Sequence, residues 1–100
     1  MAIFGMTGVT LDGSGRPVRA RLCRVDAALN QWIGQPTELD ASEVANMLAT
    51  GDEVWTIFVV PGGTVAGPRV RRLVLPNGRE TFELEQEIEG RRLKDLLVKP

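Results

Sequence analysis

Cys23 shares one side of an alternating run with Arg19 and Arg21, a setting in which nearby cations favour thiolate chemistry. The chain has no histidine, so a Cys–His nucleophile is excluded and a bystander thiol is the plainer reading. The same absence removes the commonest general base, transition-metal ligand and physiological pH switch. Tyrosine is missing as well. A single cysteine permits no intrachain disulfide and suits a reducing compartment.

Phosphate chemistry fares no better. Gly13-Ser14-Gly15 has a Gly-x-Gly spacing, but it falls between two strand-like runs, whereas a dinucleotide loop must open a helix. Gly62 and Gly67 have the spacing of a phosphate loop, yet Pro68-Arg69 stands where Lys-Ser/Thr is required. Glu83, Glu85, Glu87 and Glu89 alternate. They could hold a hard cation such as calcium, although a solvated strand face is the simpler reading. No catalytic, cofactor-binding or metal-binding residue is assigned, and no cofactor is expected.

Charge comes in blocks. Residues 1–24 hold four arginines and one aspartate, residues 25–60 six acids and no base, and residues 61–79 four arginines and no acid; the net charge is −1. Arg19 and Arg21 project from one strand, Arg69, Arg71 and Arg72 from another. If those strands adjoin, they make a basic face for an anion or a nucleic acid. Otherwise the blocks neutralise one another across the sheet. Neither strand interleaves an aromatic residue, so no base-stacking platform is evident.

The elements that must position these residues follow from pattern. Residues 2–11 and 17–25 alternate around the Asp12–Arg16 turn and predict a hairpin. Residues 26–39 read as an irregular connection or a short edge strand, with Trp32 pinned onto the core. Asp40 and Glu43 have capping-box spacing, Leu39 and Val44 can form a staple, and Gly51 can end the turn, so a helix is predicted over 41–50. Strands follow at 54–60 and 70–75, separated by a loop at 61–68. Asn77-Gly78 predicts a two-residue hairpin turn that sets Leu73 opposite Phe82, Val74 opposite Thr81 and Arg72 opposite Glu83. Leu93, Leu96 and Leu97 predict a short terminal helix at 91–98.

The run 54–60 is apolar on both faces, Trp55, Ile57 and Val59 on one and Val54, Phe58 and Val60 on the other, as in a strand covered from both sides. The helix at 41–50 can cover one face. Either the terminal helix or a second molecule must cover the other, since an exposed apolar patch is uncommon on a monomer. Phe4, Met6, Trp55, Ile57 and Val59 are therefore candidate interface residues.

Asp12 to Arg16 after an apolar first strand, Trp32, Glu43-Val44, Gly51-Asp52 and the closing Leu93–Leu97 resemble a family of short bacterial proteins of unknown function. This sequence lacks that family's usual histidine and tyrosine positions and its final Leu-Pro. The resemblance implies a fold of two strands, a helix and a strand-rich remainder, and no activity.

The expectation is a single α+β domain over residues 1–100, an antiparallel sheet of about five strands in the order β-β-α-β-β-β-α. It has one capped central helix and a short C-terminal helix. The N-terminus does not read as a signal peptide, and the longest apolar run falls far short of the ~20 residues that cross a bilayer, so a cytoplasmic setting without membrane contact is expected. The expected function is a non-enzymatic accessory or interaction domain that pairs with a second copy or another protein. The alternative is a nucleic-acid-binding module using Arg19, Arg21, Arg69 and Arg71.

Overall fold

The computed structural model describes residues 2–29 and 31–96. Two alternating runs form β1 (Ile3–Leu11) and β2 (Pro17–Asp26), which pair antiparallel. Asp12 fixes the turn between them: its Oδ1 accepts the Ser14 amide at 2.9 Å, the Ser14 hydroxyl at 2.8 Å and the Arg16 amide at 3.0 Å. The segment after β2 is a full ten-residue edge strand, β3 (Gln31–Asp40), antiparallel to β2. Gly34, with φ of 74°, and Pro36 disturb its pairing opposite Cys23 without ending it.

Helix α1 (Ala41–Ala49) starts where β3 stops. The Asp40 amide donates to Glu43 Oε1 at 3.2 Å within a capping box. At the other end Gly51, at φ of 100°, lets the Asp52 amide reach back to Met47 O and its own amide to Leu48 O, both at 3.2 Å, a Schellman closure. The chain then enters β4 (Glu53–Val60) beside β1.

That crossover decides the topology. β1 and β3 both run antiparallel to β2, and a helix returning over the sheet brings β4 in parallel to β1. The sheet is therefore mixed and six-stranded, ordered β3-β2-β1-β4-β5-β6, rather than antiparallel and five-stranded.

The stretch 61–68, expected as a loop, is mostly strand. Pro61-Gly62 makes a tight turn, with Gly62 at φ of 90°, and β5 (Gly63–Val74) begins at once. β5 pairs first with β4 and then with β6 (Glu80–Leu84). Its bend lies at Gly67-Pro68, two residues set against Thr56 alone. The buried Thr56 hydroxyl donates to Pro68 O at 2.7 Å there. A Cβ on Gly67 would collide with the Phe58 ring.

The β5–β6 hairpin is one residue out of the expected register: Arg71 faces Glu83, Arg72 faces Phe82 and Leu73 faces Thr81. Proline explains the shift. Pro76 has no amide to give to a ladder, so the loop widens to Pro76-Asn77-Gly78, closed by Gly78 N to Leu75 O at 2.9 Å and Leu75 N to Arg79 O at 2.8 Å.

One face of the sheet carries the core: Met6, Val9, Leu22, Val54, Phe58, Val70 and Phe82, with Val44 from α1. The chain's last described element, a 3-10 turn at Leu93–Leu96, sits against β1 and β4 and puts Leu96 into the same core. Of the expected 91–98 helix, residues 91–92 are not helical and residues 97–98 lie outside the described residues. Both covering elements are thus used on one face.

Candidate functional site

Strand alternation delivers a second set of side chains to the opposite, open face. Gly5 on β1 lies between Cys23 on β2 and Trp55 on β4. With no side chain at Gly5, the indole of Trp32 reaches from β3 across β2 to lie over it. A Cβ there would meet Trp32 Cη2 and Cζ3 at 2.7 Å and Ile57 Cγ1 at 2.9 Å. An isolated glycine in a strand often marks such a close approach.

Trp32, Gly5, Ile57 and Val59 form an apolar band across the sheet. Trp32 is 48% exposed and Val59 87%. Between them runs a groove of about 420 Å³ lined by Thr7, Cys23, Trp32, Pro36, Ile57 and Val59, among others. Cys23 is buried at its floor, and its Sγ lies 3.7 Å from Ile33 O and 3.8 Å from Gly34 O, within the reach of a weak thiol hydrogen bond.

Charged ladders flank the band. On one side Arg19 meets Asp40 at 3.4 Å and Arg21 meets Glu38 at 3.5 Å. On the other, Arg69 Nε donates to both carboxylate oxygens of Glu85, at 2.8 and 3.1 Å, and its Nη1 to Glu53 at 3.2 Å. Arg71 reaches Glu83 at 2.7 Å. The bond from Arg69 holds the Glu85 carboxyl below its ordinary value, and Glu85, followed by Glu53, raises the Arg69 guanidinium. Arg69 also sits 5.7 Å from the centre of the Trp55 ring. These pairs are solvent-exposed, so each contributes little to stability.

The residues singled out in the sequence separate accordingly. Arg19 and Arg21 lie on β2, Arg69 and Arg71 on β5, with β1 and β4 between them. The four do not converge, and each is paired with an acid. Phe4 and Met6 belong to the covered face: Met6 is fully buried and Phe4 packs on the core. Trp55, Ile57 and Val59 stand on the open face, where Trp32 and Gly5 join them. Trp32, expected to pin its segment onto the core, stands instead on the open face, where it is half exposed and outside the core cluster.

Among the described residues no group of histidine, cysteine, aspartate or glutamate is arranged to hold a metal ion. No described helix is long and apolar enough to cross a membrane. Comparison with protein-family models, with curated proteins and with solved structures gives no match.

Proposed function

We propose that this chain is a non-enzymatic accessory domain that works by docking protein on the open face of its sheet. One observation carries the reading: the described residues leave Trp32 and Val59 of the apolar band exposed, although both covering elements lie on the other face. Exposed apolar patches of this kind mark interaction sites. Tryptophan is a frequent anchor of such sites, because it brings a large apolar area at low entropic cost. The ion pairs of Arg19, Arg21, Arg69 and Arg71 weigh against a nucleic-acid module, since neutralised arginines on separated strands offer a phosphate backbone little. Kinship with the short bacterial proteins described above and a cytoplasmic setting belong to the same proposal.

An apolar dye tests it. The folded chain at low concentration is expected to bind the dye, and Val59→Glu to lose most of that binding with an unchanged far-ultraviolet spectrum. A wild-type chain that binds no dye contradicts the reading.

A further inference from the structure

We infer that the occupant of the open face is a second copy of this chain, packed face to face about a twofold axis that runs along the apolar band; this rests on the docking function proposed above. The geometry comes from strand register. Trp32 pairs with Val25 near the N-terminal end of β1, whereas Val59 lies toward the other end of β4. The band therefore crosses the sheet obliquely. Arg19 and Arg21 face Thr10 and Gly8, beyond Gly5 toward the C-terminal end of β1. Arg69 faces Trp55, and Arg71 lies further toward the N-terminal end. The two ladders thus occupy opposite corners of the face, one on each side of the band.

That layout is self-complementary. A twofold axis in the plane of the face and along the band lays the band of one copy on the band of the other. It also brings each ladder over the opposite ladder of the second copy, as an isologous interface requires. Each ladder holds both signs: Arg19 and Arg21 with Asp40 and Glu38, Arg69 and Arg71 with Glu53, Glu83 and Glu85. A partner of one sign would be attracted by half the charges and repelled by the rest. A copy carrying the same mixed ladders meets both signs with both signs.

Size agrees with this. The five strands β3 to β5, about 4.8 Å apart, and about eight residues of each at ~3.3 Å give a face of about 600 Å² in projection. Side-chain relief adds to that, and a stable pair needs about 800 Å² from each partner. Sheets stacked in this manner sit about 10 Å apart, a gap that Trp32, Ile57 and Val59 from the two copies can fill.

Sedimentation of the full chain from about 1 µM to about 1 mM tests the inference, with Val59→Glu as the interface variant. Val74→Glu serves as the control, since Val74 is an exposed apolar residue off this face. The expected result is a concentration-dependent dimer whose Kd rises at least about tenfold in Val59→Glu and holds in Val74→Glu. A dimer equally tolerant of Val59→Glu overturns the inference. So does a wild-type monomer throughout the range. In that case a displayed library of apolar peptides separates the two claims. Capture that depends on Val59 removes only the second copy, whereas no capture removes the docking function with it.

Discussion

The indole of Trp32 lies over the backbone of Gly5, two strands away, with Cη2 and Cζ3 each 2.7 Å from where a Cβ on Gly5 would stand. A glycine on the central strand and a tryptophan on the edge strand therefore make one feature. The glycine provides the floor, and the tryptophan covers it.

Gly5→Val is expected to push the half-exposed ring off its seat. Ile57 Cγ1, 2.9 Å from the same point, leaves little room on the other side. Overfilling of this kind costs about 1–3 kcal/mol, and the low end applies because an exposed ring can swing outward. Chemical unfolding together with the tryptophan emission spectrum checks this. Emission should shift to the red; an unmoved spectrum would show that Trp32 does not need Gly5.

The bend of β5 should be less forgiving. Gly67→Ala puts a methyl against Phe58 and the Thr56 hydroxyl inside a packed region, at a cost of about 3 kcal/mol. Gly13→Ala, with nothing within 4 Å, should stay within about 0.5 kcal/mol. Thr56→Val removes the hydroxyl that donates to Pro68 O and should cost about 1–3 kcal/mol. Thermal unfolding of the three variants ranks them, and equal effects at Gly13 and Gly67 would refute the bend's steric origin.

Acid stability should depend on two carboxylates, the exposed Asp12 and the half-buried Glu85. The Arg16 amide, the Ser14 hydroxyl and the Ser14 amide hold Asp12 below its ordinary 3.8, and Arg69 holds Glu85 below its ordinary 4.5. Both are lowered in the folded chain, so their stabilisation is complete above the ordinary values and is lost as pH falls through the lowered ones. The double variant Asp12→Asn, Glu85→Gln should lose stability less steeply between about pH 5 and pH 2 than wild type. Unfolding midpoints across that range measure it, and parallel curves would contradict the assignment.

Nucleic acid should not bind. Each of Arg19, Arg21, Arg69 and Arg71 already has an acidic partner. Electrophoretic mobility of duplex and single-stranded probes at about 50 mM salt is the check, and a shift that vanishes steeply with added salt would restore the basic-face reading.

Local features were legible in the sequence because their causes are local. Asp40, Glu43 and Gly51 state the start and stop of α1 within one stretch of chain. The Asp12–Arg16 turn is equally self-contained. What depended on distant pairing was not. β1 and β4 meet only through the crossover by α1, and nothing in either run marks the pairing as parallel. Gly34 and Pro36 look like punctuation, yet β2 holds β3 together past them. Asn77-Gly78 suggested a two-residue turn until Pro76, which cannot donate to the ladder, moved the register by one. The candidate face was half legible for the same reason. Trp55, Ile57 and Val59 declare a common side by alternation, while Gly5 gains its meaning only when Trp32 arrives from two strands away.

Both tryptophans of the chain, Trp32 and Trp55, stand on the open face and are partly exposed, so quenching of their emission by acrylamide reads that face directly. If a second copy covers it, the quenching constant falls as the chain is concentrated from about 1 µM to about 100 µM or beyond, and Val59→Glu abolishes the fall. Quenching that is equally efficient at every concentration in the wild-type chain would contradict the pairing of two open faces.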